Sequence, residues 1–246
     1  MRKLNLILVV LLLCSIWVNL QTPAIGQEIT CEYPCLCVCP TPTPVPTPTP
    51  AVGTLRIAHI TDMHAGAVNN NPVAIGYTLP FVHTKADILI DTGDCTEASS
   101  EAQWALYRSW INMVQCPWKA APGNHDMTWP DWMEAKQWIW DLNGYRLIGF
   151  NVRTPDIAWL QSALQTTMPT MVFAHYPLVG YTNYDPMVLA QVISTLQAAP
   201  TLLAYVCGHQ HYSEVKYVSG ILQIATARGG LGTVRYMTLT NGSLIW

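Results

Sequence analysis

From residue 54 onward, short apolar runs alternate with segments of helical periodicity. Continuous apolar runs bounded by polar residues are typical of buried strands, and they lie at residues 55–60, 88–90, 171–173 and 202–206. Apolar residues recur at helical spacing over residues 104–114, 157–164 and 188–196, which predicts three helices. The pairs Thr154-Pro155 and Asp185-Pro186 are typical of a cap followed by a first-turn proline, so we expect them to begin the second and third helices.

The C-terminal part of the chain alternates apolar and polar positions over roughly forty residues, as half-buried strands do. Turn-forming pairs interrupt it at Ser219-Gly220, Gly229-Gly230 and Asn241-Gly242, which predicts antiparallel hairpins. Strands alternate with helices first and then follow one another alone. This order predicts an α/β fold that contains two packed sheets.

The N-terminus has the composition of a targeting segment. Arg2 and Lys3 precede an apolar run over residues 6–18, and Ala24-Ile25-Gly26 provides a small-x-small cleavage site. The run is shorter than the roughly 20 apolar residues of a membrane span. We therefore expect residues 1–26 to be a cleaved signal peptide, with a retained membrane anchor and a lipoprotein modified at Cys14 as the alternatives. Each of the three predicts an extracytoplasmic protein, either secreted or tethered to the outer face of a membrane.

Residues 27–53 differ in composition from the regions on both sides. Four cysteines, Cys31, Cys35, Cys37 and Cys39, predict a disulfide-linked segment in an oxidising compartment. A site of four thiolates and cross-links to another chain are the alternatives. Residues 40–50 read PTPTPVPTPTP, which favours an extended polyproline II linker. The remaining residues, 54–246, form the predicted globular domain, and its odd number of cysteines leaves at least one thiol free or paired between chains.

The composition of the 246-residue chain excludes two classes of protein. Half of the residues are apolar and 11% are charged, which excludes a disordered chain. The 12 Lys and Arg residues against 15 Asp and Glu give a net charge of −3 without any basic run, so a partner bound as a nucleic acid duplex is not expected. An anionic ligand would need positive charge from another source, such as a metal ion.

Polar residues that can bind metal follow the predicted strands in five clusters. The clusters are Asp62-Met63-His64, Gly93-Asp94, Gly123-Asn124-His125-Asp126, His175 and Gly208-His209-Gln210-His211. The carboxyl ends of parallel strands meet at one sheet edge, so five loops can bring these donors into one small volume. Imidazole and carboxylate together suit Zn, Fe or Mn. Five of the seven histidines fall in the clusters, which makes a chance arrangement a poor explanation.

The ordered set D-x-H, GD, GNHD, H and GHxH resembles the calcineurin-like metallophosphoesterase family over residues 55–246. Its motif style is similar to the subgroups of cyclic-nucleotide phosphodiesterases and tartrate-resistant-type acid phosphatases. The resemblance implies a four-layer double β-sandwich flanked by helices, with a dinuclear metal centre at the sheet edge. Purple acid phosphatases have a tyrosine three residues after the GD aspartate, and Glu97 stands there in this chain. A purple Fe(III) centre is therefore not expected.

The resemblance also implies a role for each motif residue. One ion would be held by Asp62, His64, Asp94 and His211, and the other by Asp94, Asn124, His175 and His209. Both would be divalent transition-metal ions, Mn, Fe or Zn. A hydroxide that bridges them would attack the phosphoester, and His125 would protonate the leaving group as general acid. Asp126 would orient or charge His125, or else serve only as a carboxylate at a helix start.

The sequence leaves two classes of function open. The first is a phosphoesterase that acts on small phosphodiester or phosphomonoester substrates, with diesters slightly favoured. The second is a non-catalytic surface binding or scaffold protein on a degenerate phosphoesterase fold. Two residues outside the five clusters also have predicted roles. Arg228 is either a hairpin-turn arginine or a contact to the substrate phosphate, and His59, inside the first strand, is predicted to be a hydrogen-bonded core histidine.

Overall fold

A computed structural model describes residues 52–180 and 182–246. The predicted signal peptide, the four-cysteine cluster and the Pro/Thr linker lie outside the described residues. In the part of the chain that is described, no helix is long and apolar enough to cross a membrane.

The described strands form two sheets. The first sheet has five strands in the order β11-β10-β1-β2-β3: β1 is Leu55–Ile60, β2 Ile88–Asp91, β3 Trp118–Ala120, β10 Arg235–Thr240 and β11 Ser243–Ile245. The second has six in the order β4-β5-β6-β7-β9-β8: β4 is Trp138–Leu142, β5 Tyr145–Phe150, β6 Thr170–Ala174, β7 Leu202–Cys207, β8 Glu214–Val218 and β9 Ile221–Ala225. The four strands predicted from apolar runs correspond to β1, β2, β6 and β7.

Helices cover the outer faces of both sheets. Their bounds are α1 Pro72–Thr78, α2 Val82–Lys85, α3 Glu101–Ile111, α4 Ile157–Ala163 and α5 Pro186–Gln197. Residues of α1 and α3 share one buried cluster with the first sheet, and residues of α4 and α5 share another with the second. A third apolar cluster lies between the sheets and combines side chains from both. The helix–sheet–sheet–helix order confirms the predicted four-layer α/β architecture.

The structure tests both predicted helix starts. The side chain of Asp185 caps α5 and accepts hydrogen bonds from the backbone of Met187 and Val188, as the Asp-Pro pair predicted. The cap of α4 is Asp156 rather than the predicted Thr154, and its carboxylate accepts a hydrogen bond of 2.9 Å from the Trp159 backbone. An aspartate accepts such bonds more readily than a threonine because it is charged.

Trp138 joins the two sheets. It begins β4, and its indole nitrogen donates a hydrogen bond of 2.7 Å to the carbonyl of Ala120 at the end of β3. Its ring lies inside the sandwich against Gly149, where any side chain would overlap it.

Two of the three predicted hairpin turns are confirmed. Ser219-Gly220 joins β8 to β9, and Asn241-Gly242 joins β10 to β11, with positive φ at all four residues. The prediction for Gly229-Gly230 is wrong, because β9 and β10 lie in different sheets and a short 3-10 helix occupies the connection. These glycines are needed for close packing instead, since their nitrogens donate to the carbonyls of Thr61 and Asp62.

Candidate metal centre

The five polar clusters lie at one edge of the double sandwich. In the first sheet β1, β2 and β3 run parallel, and in the second β5, β6, β7 and β9 do. The clusters follow β1, β2, β3, β6 and β7, so each lies just beyond the carboxyl end of a parallel strand. This edge is where open α/β sheets bind ligands.

The backbone at this edge is locally strained. Left-handed φ values occur at Asp62 (54°), His64 (44°), Asp94 (52°), His209 (69°) and His211 (60°). Such conformations cost of order 1–3 kcal/mol for residues other than glycine, and they cluster at functional sites. Five of the nine non-glycine residues with positive φ in the described chain are predicted metal ligands. The strain is consistent with backbone bent to aim side chains at a common point.

Donor atoms of the first predicted ligand set lie close together. Nε2 of His211 is 3.2 Å from Oδ1 of Asp62 and 3.2 Å from Nε2 of His64. Nε2 of His64 lies 3.6 Å from Oδ2 of Asp94, which belongs to both predicted sets. Two imidazole nitrogens that face each other cannot both carry a proton, so a cation between them would suit this arrangement.

The second predicted set adjoins the first at Asp94. Oδ2 of Asp94 is 3.1 Å from Nε2 of His175, which in turn lies 3.2 Å from Nδ1 of His209. One donor atom from each of these three residues lies within 4.8 Å of the others. Oδ1 of Asn124, which precedes His125 in the chain, is buried and accepts no hydrogen bond from any described residue.

The residues present fit two divalent cations. Oδ1 of Asp62 also accepts no aligned hydrogen bond within residues 52–180 and 182–246, and buried polar atoms without a partner are rare in folded proteins. The donor set combines four imidazoles with two carboxylates and an amide oxygen, which suits Zn, Mn or Fe. Six of the seven predicted ligands therefore meet at one edge, in two groups that adjoin at Asp94. Asn124 belongs to the neighbouring GNHD loop, whose His125 backbone donates to Asp94.

Electrostatics at the site follow from buried opposite charges. Burial alone would raise the pKa of Asp62 and Asp94, but the nearby His175 holds both pKa values below the ordinary range. Burial would lower the pKa of His175, yet the two carboxylates raise it to about 9. The pKa of His209 falls to about 4 through burial and the charge of His175. Without metal, one proton therefore stays on His175 near neutral pH.

Several groups outside the predicted set hold the ligands in place. Oδ2 of Asp62 accepts hydrogen bonds of 2.9 Å from the hydroxyl of Thr61 and from the backbone of His209. Nδ1 of His175 lies 3.0 Å from the carbonyl of Thr92. Bonds of this kind fix the tautomer and the orientation of a metal-binding imidazole. Here they leave Nε2 of His175 facing the carboxylates.

Glu97 contacts His64 from behind the site. Its Oε2 lies 2.8 Å from Nδ1 of His64, on the side of the ring away from Asp62 and Asp94. A carboxylate in this position is a common support for a metal-binding histidine. The sequence analysis singled out Glu97 because it stands where purple acid phosphatases have a tyrosine, but it predicted no contact for this residue. The contact depends on two loops that come from different strands.

His125 lies over the first ligand group. Its ring packs edge-on against that of His64, with 4.7 Å between the centroids. Its backbone nitrogen donates a bond of 2.8 Å to Asp94, and its Nδ1 lies 2.6 Å from the carbonyl of Glu97. A carbonyl only accepts, so Nδ1 carries the proton and Nε2 is the atom left for a ligand. The position agrees with the place that the resemblance implied for a general acid.

Asp126 is not bonded to the His125 ring. Its buried carboxylate accepts hydrogen bonds from the backbone nitrogens of Gly123, Cys95 and Thr96, at 2.9, 3.3 and 3.3 Å. Burial, and then the charge of Asp94, raise the pKa of Asp126 to about 6. The carboxylate thus ties the GD loop to the GNHD loop, and it touches neither His125 nor the ligand atoms. The ring of His125 is oriented by the Glu97 carbonyl instead.

A buried carboxyl group that sequence reasoning missed supports the GD loop from below. Asp91 ends β2 and accepts bonds of 2.8 Å from the Tyr107 hydroxyl and from the Gly93 backbone. Burial raises the pKa of Asp91 to about 8. Only its place two residues before Gly93 could have indicated this role.

Two further predictions are confirmed by the structure. Both ring nitrogens of the buried His59 are hydrogen-bonded, to the hydroxyls of Thr226 and Thr92 at 2.8 and 2.9 Å. Burial lowers its pKa to about 3, which keeps it neutral. The odd set of cysteines leaves free thiols, at Cys95, Cys116 and Cys207, and all three are buried.

Comparisons with known proteins agree with this geometry. A family model described as calcineurin-like phosphoesterase matches residues 55–213. A probable cyclic nucleotide phosphodiesterase from a Synechococcus strain is 26% identical over 187 residues, which cover 64% of this chain and 69% of the relative. A probable glycerophosphodiester phosphodiesterase from Arcobacter nitrofigilis is 24% identical over 156 residues, covering 52% and 57%.

Among solved structures, a dimetal phosphatase from Danio rerio shares the fold. The TM-score is 0.60 at 10% sequence identity, and the match covers 78% of this chain and 94% of that one. An identity this low supports the architecture alone. The family match spans more than half of the chain and includes all seven predicted ligands. The chain therefore belongs to the calcineurin-like phosphoesterase family and is a metal-dependent phosphoester hydrolase.

Proposed function

We propose that the protein hydrolyses small phosphodiesters with a dinuclear metal centre and that His125 protonates the leaving group. The observation that carries the proposal is the meeting of six predicted donor residues from four loops, in two groups that adjoin at Asp94. The buried Oδ1 of Asn124, which accepts no hydrogen bond from any described residue, supports it. No residue that the resemblance requires as a ligand is missing, which argues against a degenerate binding protein.

The chemistry divides between the ions and the chain. Bound divalent ions supply Lewis-acid polarisation of the phosphoryl group and activation of water near neutral pH. Asp62 and Asp94 hold the ions while cancelling only part of their charge, so an acidic protein can receive an acidic substrate. His125 can donate a proton from Nε2 only as an imidazolium, because Nδ1 already donates to the Glu97 carbonyl. Asp126 positions the loop that carries His125.

The similar proteins favour diesters over monoesters. The two curated relatives named above are described as phosphodiesterases. A cavity of about 540 Å³ opens beside His64, His125 and His211, a volume that suits a small organic phosphoester. Cyclic and glycerol-type diesters are accordingly the first substrates to assay.

The test begins with metal-stripped protein reloaded with Mn, Zn or Fe and assayed on bis(p-nitrophenyl) phosphate and p-nitrophenyl phosphate. We expect metal-dependent turnover, with the diester preferred. Replacing His125 by Ala should retain both ions but lower kcat on alkyl esters by about 10²- to 10⁴-fold, the usual contribution of a general acid. Aryl esters, whose leaving groups need no proton, should lose much less.

His83 offers a matched control for this test. It is a surface histidine whose Nδ1 also lies 2.8 Å from a backbone carbonyl, that of Pro80. The His83→Ala change should leave both substrate classes unaffected. Equal losses on aryl and alkyl esters in the His125→Ala variant would contradict the acid role. Absence of both bound metal and turnover would overturn the proposed function and favour the binding class.

We also propose that the protein acts outside the cytoplasm. The support is the order of basic residues, apolar run and small-residue site in residues 1–26. N-terminal sequencing of protein recovered from an expressing cell should give a start at Gln27. Recovery in the cytoplasmic fraction with Met1 intact would overturn the proposal.

A further inference from the structure

Arg228 lies in the wall of the cavity that opens beside the metal centre. Its side chain is 7% exposed, and it is the only lysine or arginine among the described residues that line this cavity with His64, His125 and His211. The sequence offered two roles for it, and the hairpin-turn role is excluded because residues 229–231 are a 3-10 helix between two sheets.

The guanidinium group is held rigidly by a neutral partner. Its Nη2 donates a hydrogen bond of 2.7 Å to Oδ1 of Asn70. The amide nitrogen of Asn70 donates to the carbonyls of Met63 and His64, at 3.1 and 2.7 Å. Asn70 therefore fixes Arg228 at a set position relative to a predicted metal ligand. A preorganised arginine loses little entropy when it binds an anion.

The positive charge of Arg228 lacks a carboxylate partner. Within residues 52–180 and 182–246 it forms no ion pair, and its Nε is buried without a hydrogen-bond acceptor. The acidic residue of the same cavity, Glu97, lies against His64 instead. A buried cation with unused donors is costly unless an anion is bound there. The arrangement therefore has the features of an anion-binding position.

We infer that Arg228 binds a second negative charge on the substrate, an inference that rests on the proposed function. Two divalent ions with two carboxylates leave a net charge of about +2, which suffices for the single charge of a simple diester. A further cation beside them selects phosphoesters that carry one more anionic group. That group is either the second charge of a phosphomonoester or a phosphate or carboxylate elsewhere on a diester, and arginine binds both through paired N–H donors.

Four substrates with the same nitrophenolate leaving group test the inference. Bis(p-nitrophenyl) phosphate has one charge, and p-nitrophenyl phosphate has a second charge on the reacting group. The p-nitrophenyl ester of thymidine 5′-phosphate has one charge, and its 3′-phosphorylated form has a remote anion. The variants are Arg228→Met, Arg228→Lys and, as a matched control, Arg108→Met on α3, where the guanidinium packs on Trp132 away from the cavity.

We expect Arg228→Met to lower kcat/KM by about 10- to 100-fold for the more charged member of one pair and by less than about threefold for its partner. The pair that responds identifies where the second charge lies. The two substrates of a pair are assayed with the same preparation of the variant. Unfolded protein therefore lowers both kcat/KM values equally and leaves their ratio unchanged. Arg228→Lys should lower the ratio of kcat/KM for the more charged substrate to that for its partner by a smaller factor. It serves as the test if the methionine variant does not fold.

Two outcomes would overturn the inference. The first is an equal loss on all four substrates, accompanied by loss of metal, which would make Arg228 only a support for the D-x-H loop through Asn70. The second is a set of ratios that stay within about threefold of those of Arg108→Met. Turnover by the wild-type protein in the same assays shows that the proposed function holds even when the inference about Arg228 fails.

Discussion

Glu97 gives the sharpest test of how the metal centre is built. The change Glu97→Gln removes a charge and keeps the shape of the side chain. In the structure Oε2 of Glu97 lies 2.8 Å from Nδ1 of His64, whose Nε2 faces Asp62 and Asp94. The contact is not aligned as a hydrogen bond, so Glu97 acts on His64 through its negative charge, which favours a cation bound at Nε2.

The size of the effect follows from the exposure of the pair. Loss of such a supporting carboxylate typically weakens metal binding by about 10- to 100-fold. The side chain of Glu97 is 43% exposed, so water already screens its charge and we expect the lower end of the range. The prediction is a loss of about tenfold, or about 1.4 kcal/mol, for the ion bound by His64. The ion held by Asn124, His175 and His209 should keep its affinity.

The assay is a competition between the protein and a zinc chelator of known affinity, with bound zinc measured at a series of buffered free concentrations. The Glu97→Gln protein should lose one ion at tenfold higher free zinc than wild type and retain the other. Glu101→Gln, an exposed carboxylate in the first turn of α3, is the control for charge alone. Identical titrations of the Glu97 and Glu101 variants would refute the reasoning.

Two more predictions concern protons and packing. Burial lowers the pKa of His175, but Asp94 and Asp62 together outweigh it and raise the pKa to about 9. Metal binding must therefore displace its proton, and affinity should rise about tenfold per pH unit from 7 towards 9. Equilibrium dialysis at three pH values checks this, and a pH-independent affinity would contradict it. The change Trp138→Phe leaves the buried carbonyl of Ala120 without its donor, so the free energy of unfolding should fall by at least about 1–3 kcal/mol in urea titrations. Trp118→Phe on β3, whose indole is only partly buried, is the control and should cost clearly less.

The sequence alone was sufficient for the elements with a strong local signal. Strands β1, β2, β6 and β7 are continuous apolar runs, and a strand buried on both faces needs nothing more to be recognised. The proline after Asp185 located α5 for an equally local reason. Two short strands were not predicted. Strand β3 has only three residues, and β4 reads Trp-Ile-Trp-Asp-Leu, which has no regular alternation of apolar and polar residues.

The candidate ligands could be collected from the sequence because each follows a strand, and parallel strands bring their ends together whatever the details of packing. The residues that hold these ligands and their neighbours in place could not be identified in this way. Glu97 reaches His64, Asn70 reaches Arg228, and Asp126 binds backbone in another loop rather than the adjacent His125. These contacts join segments far apart in the chain, and no local pattern encodes them. The chain order of the motifs thus indicated the chemistry, whereas only tertiary packing decided which groups surround it. Loops of one sheet bring Glu97 and Asp126 to their partners, and the docking of the two sheets brings Asn70 to Arg228.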